Sequence, residues 1–187
     1  MNQEILQEIL RQDYTKIQQD IISFLKNQIS QKKVEGVVFG LSGGIDSATV
    51  AYLCKKISET KEVLALVMPD SVISPSSETG DALKIIGEIG IDYKLIDINT
   101  IHKRYSNYLE PGELALGNLR ARIRSNIIYY YANLKNLLVL GTSDKSEYLI
   151  GYFTKFGDGS ADILPTVSLY KTQMRELAKT IGVPNNI

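Results

Sequence analysis

Val37 to Thr49 read VVFGLSGGIDSAT, a short apolar run followed by a segment rich in glycine and serine. The run that ends at Gly40 predicts a buried parallel strand, and Ala48 to Lys56 predict the helix that follows it. Leu41 to Asp46 then form the loop between strand and helix. Backbone N–H groups beside two adjacent glycines can turn towards an anion, and the first turn of the helix adds the positive end of its dipole. We therefore predict a phosphate-binding loop here.

The spacing of this loop excludes the two most common phosphate loops. A Walker loop requires Lys after its second glycine, but Ile45 and Asp46 occupy the corresponding positions. The dinucleotide pattern GxGxxG fails because Ser42 replaces its second glycine. A carboxylate beside phosphates is repelled unless a divalent cation lies between them, so Asp46 indicates Mg²⁺ bound together with a nucleotide. The alternative is that Ser42, Asp46 and Ser47 only cap the helix.

Composition narrows the class of protein. The 187 residues suit one domain, and Lys plus Arg and Asp plus Glu number 21 each, so the formal net charge is zero. No basic field favours nucleic acid or an anionic membrane surface. The single cysteine, Cys54, cannot form an intrachain disulfide, and we expect it to be a buried thiol. Because the sequence shows neither a signal peptide nor a membrane span, we expect a cytoplasmic protein.

Three further apolar runs predict strands, and helical patterns separate them. The strands are Glu62–Met68, Tyr93–Ile98 and Leu137–Leu140, with helices over Asp81–Gly90 and Asn118–Ala132. Strands that alternate with helices predict an α/β fold: a doubly wound, open parallel sheet flanked by helices. Ligands bind such sheets at the carboxyl ends of the strands, so functional residues should follow strands directly.

The segments between these elements carry weaker signals. Asp70–Thr79 and Glu110–Gly117 are predicted to be loops. His102 follows the third strand and is expected on the surface, because the sequence has no second His, and no suitable Cys, to complete a zinc site with it. From Asn2 to Gln31, apolar residues recur at three- and four-residue spacing, which predicts an amphipathic helix or helix pair. We expect this stripe to pack on the sheet of its own domain, with a dimer interface as the alternative.

Charged residues after the later strands are further candidates. Arg120 and Arg124 share one face of a predicted helix, while Arg122 points roughly opposite. The segment that holds them lacks acidic residues, so these arginines could bind a carboxylate or a phosphate. Tyr129–Tyr131 are expected to be packing residues, although their rings could also line a nucleotide site. Glu147 follows the fourth strand and could supply a second carboxylate to the magnesium ion inferred from Asp46.

The loop and three later motifs resemble a known enzyme family. SGGIDS resembles the pyrophosphate loop of the N-type ATP pyrophosphatases, whose fold is Rossmann-like and of the adenine nucleotide alpha hydrolase type. GNLRARIRS, GTSDKSEYLIGYFTKFGDG and LYKTQMRELAKTIGVP, in this order, are similar to NAD synthetase of the ammonia-dependent type. The resemblance implies a ligase that forms a C–N bond. ATP would adenylate deamido-NAD on its nicotinate carboxylate, and ammonia would displace AMP to give NAD. It also implies a homodimer.

The resemblance implies roles for individual residues. Deamido-NAD would contact Arg122, Lys155 and Asp162, and Mg²⁺ would bind Asp46 and Glu147. Asp46 and Lys171 would be catalytic. The residues implied to contact ATP are Gly40, Leu41, Ser42, Gly43, Gly44, Ile45, Asp46, Ser47, Thr142 and Lys171.

The chain departs from the family pattern at its end. Members of the family continue past the GVP element into a loop that closes over the site and a further substrate-binding segment, whereas this sequence ends at Ile187. We therefore expect a single, C-terminally truncated domain over residues 1–187, with an N-terminal helical segment over 1–31 and weak or absent turnover. Because no hydrolase domain precedes the loop, free ammonia is the expected nitrogen donor. The alternatives are an inert nucleotide-binding module and an ATP pyrophosphatase that acts on another acceptor.

Overall fold

Helices and strands alternate along the part of the chain that the computed structural model describes, residue 7 and residues 10–187. The strands are β1 (Gly36–Gly40), β2 (Glu62–Val67), β3 (Asp92–Leu95) and β4 (Leu137–Leu140). The helices are α1 (Tyr14–Lys32), α2 (Ile45–Lys55), α3 (Ser76–Ile89), α4 (Asn99–Ser106), α5 (Glu113–Lys135), α6 (Lys145–Ile150) and α7 (Lys171–Ile181).

The four strands form one parallel sheet in the order β3-β2-β1-β4. β1 pairs with β2 from Gly36 opposite Glu62 onwards, and with β4 from Gly36 opposite Leu137 onwards. β2 and β3 lie in turn on one side of β1, and β4 lies on its other side. The two loops that leave β1 and β4 therefore diverge and open a crevice between them at the carboxyl edge. The predicted fold class is confirmed.

Helices cover both faces of the sheet. Leu25 of α1, Leu53 of α2 and Leu177 of α7 lie with Phe39 in the core on one face. Ile123 of α5 packs on the other face against the alternate side chains of the strands. Since each central strand is buried on both sides, its sequence is a continuous apolar run. This burial explains why β1, β2 and β4 were predictable.

Three helices begin earlier than the sequence predicts. α2 begins at Ile45, so Asp46 and Ser47 lie in its first turn and not in a loop. α3 begins at Ser76 and α5 at Glu113, inside segments predicted to be loops. The first turn of a helix accommodates Ser, Asp and Glu, because its N–H groups are free and its dipole end is positive. Apolar periodicity alone therefore places these boundaries too late.

The prediction of a surface histidine was wrong. His102 lies in α4, is 6% exposed, and its Nε2 atom is 3.2 Å from the carbonyl oxygen of Leu116. β3 ends at Leu95, earlier than predicted, and the chain then turns into α4, which packs against the start of α5. The prediction for Cys54 is confirmed, since this residue is fully buried and burial raises the pKa of its thiol.

The N-terminal apolar stripe packs on its own domain. Ile21, Leu25 and Ile29 of α1 are buried in the core, which confirms packing within the same domain, although α1 packs on α7 and α2 more than on the sheet itself. The predicted helical segment begins at Asn2, but residues 1–6, 8 and 9 lie outside the described residues. In the described part of the chain, no helix is long and apolar enough to cross a membrane.

A buried ion pair closes the carboxyl edge beyond β2. Asp70 is 1% exposed and accepts hydrogen bonds from Arg120 Nε at 2.6 Å and Asn99 Nδ2 at 2.8 Å. Its main-chain N–H is hydrogen-bonded to Ser74 Oγ at 3.0 Å, so the same residue shapes the turn after β2. Burial raises the pKa of Asp70, but hydrogen bonds from Arg120, Asn99 and the N–H of Val72 outweigh burial, and the pKa lies below its ordinary value of 3.8.

Replacing Arg120 with Met should lower the free energy of unfolding at pH 7 by about 3 kcal/mol, because a buried carboxylate loses its charged partner. Because the pKa of Asp70 is lower in the folded protein than in the unfolded chain, its ionisation stabilises the fold at pH values above the pKa of the unfolded chain. This stabilisation is lost as the pH falls through the pKa of the folded protein. The difference in the free energy of unfolding between wild type and Arg120→Met should therefore become smaller below pH 3.8. Urea unfolding at several pH values measures this difference.

Lys84→Met provides the matched control, since Lys84 pairs with Asp81 at 3.1 Å on the surface. Lys84→Met should lower the free energy of unfolding by less than about 0.5 kcal/mol. Equal losses in the two variants would contradict a stabilising role for the buried pair.

Candidate active site

A cavity of about 370 Å³ lies at the carboxyl edge of the sheet. Its walls come from the loops after β1, β2 and β4, from α5, and from the segment around residues 157–160. The predicted ATP contacts Gly40, Leu41, Ser42, Ser47 and Thr142 all line it. Parallel strands deliver these loops to one edge, so residues far apart in sequence meet here.

The glycine loop is held in a conformation that requires Gly43. Gly43 has φ +94°, and a Cβ atom at this position would lie 2.3 Å from the carbonyl oxygen of Glu78 in α3. The loop therefore packs directly on the backbone of a neighbouring helix. Gly44 is extended and forms the N-cap of α2, so none of Ser42, Asp46 and Ser47 occupies the capping position. The interpretation that these three residues only cap the helix is thus wrong.

Two serines brace the loop from inside. Ser42 Oγ and Ser47 Oγ lie 3.0 Å apart, and Ser47 Oγ also donates to the carbonyl oxygen of Gly44 at 3.0 Å. Gly44 N–H in turn donates to Ser42 Oγ at 3.3 Å. These bonds shape the turn without using a charged group. The conformation of the loop is therefore fixed by neutral hydrogen bonds.

Three carboxylates surround one lysine beside the loop. Lys171 Nζ lies 2.5 Å from Asp46 Oδ2, 3.0 Å from Asp144 Oδ2 and 3.4 Å from Glu147 Oε1. Burial disfavours the ammonium, but hydrogen bonds to Asp46 and Asp144 and the nearby negative charges outweigh burial and raise the pKa of Lys171. The cluster joins both predicted metal ligands to the predicted catalytic lysine.

The same cluster fits a divalent cation. One oxygen from each of Asp46, Asp144 and Glu147 lies within 4.8 Å of the other two. Three carboxylates against one ammonium leave an excess of two negative charges. Asp46 Oδ1 is buried and has no hydrogen-bond partner among the described residues. Hard oxygen ligands with surplus negative charge suit Mg²⁺.

Three hydrogen bonds position the charged groups at the beginnings of α6 and α7. Asp144 is the N-cap of α6, and its Oδ1 accepts from the N–H of Glu147 at 2.9 Å while Glu147 Oε2 accepts from the N–H of Asp144 at 3.3 Å. The N–H of Lys171, the first residue of α7, donates to Ser146 Oγ at 3.2 Å. The beginnings of both helices therefore meet at the cluster.

The predicted deamido-NAD contacts lie on another part of the edge. Arg122 Nε donates to the main-chain carbonyl oxygen of Lys155 at 3.2 Å, so Arg122 contacts the backbone of the segment that carries Lys155. Asp162 Oδ2 accepts from the N–H of Val139 in β4 at 2.8 Å, and its Oδ1 accepts from Tyr129 at 3.4 Å. In the described part of the chain, Asp162 is not hydrogen-bonded to either cation. Their role in substrate binding stays a prediction.

Sequence reasoning missed several residues of the site. Asp144 follows β4 directly, at the carboxyl edge, and this position was a usable signal for a third carboxylate. Thr79, Ser125, Asp158 and Ser160 line the cavity, but their types and spacing carry no signal. Their neighbourhood arises from the fold alone.

Comparisons with known proteins identify what this chain is similar to. Residues 17–187 match a family described as NAD synthase. The NH(3)-dependent NAD(+) synthetase of Staphylothermus marinus is 46% identical over 189 residues, which cover 97% of this chain and 67% of that protein. The chain thus spans about two thirds of that relative's length.

Solved structures agree with this match. The NH3-dependent NAD synthetase of Campylobacter jejuni, in complex with the nitrate ion, has a TM-score of 0.88 and 42% identity, and the match covers 94% of this chain and 76% of that one. The NMN synthetase of Francisella tularensis has a TM-score of 0.89 and 37% identity, with 94% and 74% covered.

Replacing Gly43 with Ala should destabilise the protein by about 2 kcal/mol or more and weaken nucleotide binding. The new Cβ would meet the backbone of α3 at a positive φ, so the loop must move. Thermal unfolding and calorimetric titration with ATP measure the two effects. Gly87→Ala is the control, because Gly87 lies inside α3 with no atom within 4 Å of the added Cβ. Tight ATP binding by Gly43→Ala would contradict the assignment of the loop.

Proposed function

Because the chain belongs to the NAD synthase family, we propose that it amidates deamido-NAD, with ATP as the activating substrate and ammonia as the nitrogen donor. This match confirms the family predicted from the sequence. The observation that carries the proposal is the cluster of Lys171 with Asp46, Asp144 and Glu147 beside the glycine loop. A cation-binding cluster next to a preorganised anion-binding loop suits the polyphosphate of a nucleotide.

The chemistry requires activation of a carboxylate. A nicotinate oxygen attacks the α-phosphorus of ATP, the bond to the β-phosphate breaks, and pyrophosphate leaves. Ammonia then adds to the carbonyl carbon of the adenylate, the nitrogen loses a proton, and AMP departs with the former carboxylate oxygen. No cysteine or histidine lines the cavity, and Cys54 and His102 are buried elsewhere in the fold. A side-chain nucleophile is therefore not part of this scheme.

The side chains of the cluster have separate tasks. Asp46 and Glu147 would hold Mg²⁺, which when bound would offset negative charge on the phosphates. Lys171 is an ammonium among carboxylates, and incoming phosphate oxygens offer it an equivalent partner. The N–H groups after Ser42 would hold the departing pyrophosphate. Each group acts through charge placed before the reaction, with little rearrangement.

The acceptor would bind on the neighbouring part of the edge. Arg122 is held by the main-chain carbonyl of Lys155, and the two side chains would supply cations for the two phosphates of a dinucleotide. Asp162, held by Val139 and Tyr129, would orient a hydroxyl or amide group of the acceptor. Binding both substrates at one edge brings the nicotinate towards the α-phosphate.

We also propose a cytoplasmic homodimer. Tyr130 and Leu134 lie one turn apart on α5 and are 61% and 62% exposed, which is unusual for large apolar side chains of one helix face. A second copy would cover this face. Mass measurement at micromolar concentration tests it, and a monomer would remove the dimer.

Incubation with ATP, Mg²⁺, deamido-NAD and ammonium should yield NAD and AMP in equal amounts. Asp46→Asn should lower this turnover at least 100-fold, because it removes the charge that holds the cation beside the phosphates. Asp20→Asn on the exposed side of α1 is the control and should leave turnover unchanged. Full activity of Asp46→Asn would disprove the assignment of the metal ligand. ATP binding by the wild type without AMP release would support the inert module.

The similarity to an NMN synthetase provides a second candidate acceptor, the mononucleotide form of nicotinate. We expect deamido-NAD to have the higher kcat/KM, since Arg122 and Lys155 together would supply two cations for its two phosphates. A competition assay with both acceptors measures the ratio. A ratio that favours nicotinate mononucleotide would assign the chain to the second activity.

A further inference from the structure

The segment 154–160 has an irregular backbone, yet it lies against one face of α5. Asn118 and Arg122 share that face, because residues four positions apart lie on the same side of a helix. Thr154 Oγ1 donates to Asn118 Oδ1 at 2.9 Å, and Arg122 Nε donates to the main-chain carbonyl oxygen of Lys155 at 3.2 Å. Two successive residues therefore tie the segment to the helix.

Thr154 also fixes the shape of the segment through its main chain. Its N–H donates to Asp158 Oδ1 at 2.9 Å. Its carbonyl oxygen accepts from the N–H of Gly157 at 2.8 Å and from the N–H of Gly159 at 3.2 Å. With its hydroxyl bonded to Asn118, the residue joins the internal turn of the segment to the contact with α5.

Two backbone features show that the segment is held in one conformation. Gly157 is buried, and a Cβ atom on it would lie 2.8 Å from the Cβ of Ala121 and 2.9 Å from Thr154 Cγ2, so the turn lies directly on α5. Phe156 has φ +61°, which is unfavourable for an aromatic residue, and its side chain is 69% exposed. Because burial of the ring contributes little, the neighbouring hydrogen bonds must keep this backbone in place. Strain retained in this way is found mostly at functional sites.

The segment reaches both of the predicted substrate regions. Gly157, Asp158 and Ser160 line the cavity at the glycine loop. Lys155, a predicted contact of deamido-NAD, is exposed two residues before Gly157, with its Nζ 5.0 Å from the centre of the Phe156 ring. A displacement of the segment would therefore move Lys155 relative to the cavity. The reaction depends on that placement, because both substrates must be aligned.

We propose that Thr154 is a positioning residue for the acceptor. Its hydroxyl, bonded to Asn118, holds the segment 154–160 on α5 and so sets the place of Lys155 beside the cavity. The inference rests on the proposed function, since it takes deamido-NAD as the acceptor. Thr154 touches no reacting atom in this scheme and acts through the segment. Thr154 and Asn118 lie 36 residues apart, so the fold alone brings them together.

Two substitutions of Thr154 separate the effect of its hydroxyl from that of its shape. Thr154→Val removes the hydroxyl and keeps the branched side chain, whereas Thr154→Ser keeps the hydroxyl. In calorimetric titrations, Thr154→Val should raise the Kd for deamido-NAD about tenfold, the upper range for one lost hydrogen bond, and Thr154→Ser should bind as wild type does. The Kd for ATP should hardly change, because its phosphates would bind the glycine loop and the Lys171 cluster. Thr180→Val is the control, since it removes a hydroxyl that donates to the carbonyl oxygen of Glu176 at 2.8 Å on α7.

Hydrogen exchange measures the same contact without a ligand. The amides of Gly157 and Gly159 should exchange about tenfold faster in Thr154→Val than in wild type, because the turn that protects them is released. Asn118→Leu breaks the same hydrogen bond from the other side, and it carries the comparison if Thr154→Val fails to fold. The double variant should bind deamido-NAD no more weakly than Thr154→Val, since both substitutions remove one interaction.

Three outcomes would overturn the inference while the proposed function stands. They are unchanged binding of deamido-NAD by Thr154→Val, equal losses in Thr154→Val and Thr154→Ser, and equal losses of ATP and deamido-NAD binding, which would make Thr154 a purely structural residue. Wild type that does not bind deamido-NAD would overturn the proposed function and, with it, the role of Thr154 for this acceptor.

Discussion

One ammonium group among three carboxylates organises the candidate site. Lys171 Nζ contacts Asp46, which lies 125 positions earlier in the chain, and it also contacts Asp144 and Glu147. These contacts join the first turn of α2 to the beginnings of α6 and α7 at the crevice beside β1. Without the lysine, three negative charges would lie together at a partly buried edge, which is unfavourable. The arrangement is therefore stable when a cation completes it, and it is suited to exchange partners with phosphates.

The sheet makes this concentration of charge possible. Because the strands are parallel, their carboxyl ends all lie on one edge of the sheet. The strand order reverses at β1, and this reversal opens a crevice at that edge between β1 and β4. The cavity at this edge is lined by the glycine loop, by polar residues such as Thr142 and Ser160, and by apolar residues at the end of β2 and on α5. The buried pair of Asp70 and Arg120 closes the far end, so the wall near Met68 is held by interactions separate from the cluster.

The predictable part of the site follows from local chemistry. SGGIDS requires close backbone approach, and Gly43 shows why, since its φ is positive and its Cα packs on the backbone of Glu78. Asp46 and Glu147 were recognisable as a pair because each follows a buried strand. Asp144 was missed although it follows the same strand as Glu147, because a helix-capping residue and a cation ligand have the same side chain. The helices that begin at Ile45, Ser76 and Glu113 were predicted to begin several residues later. Their first turns contain polar residues, so the helical spacing of apolar residues is not visible there.

By itself, the sequence determined the class of fold, the strands of the sheet and the position of the glycine loop, because these depend on apolar runs and on glycines whose neighbours are close in the chain. Only the tertiary structure decided that Lys171 lies among three carboxylates, that His102 is buried, and that Arg124 shares a cavity with the glycine loop. These facts depend on contacts between segments far apart in sequence. Their distances are set by how the helices pack on the two faces of the sheet, which no local pattern records.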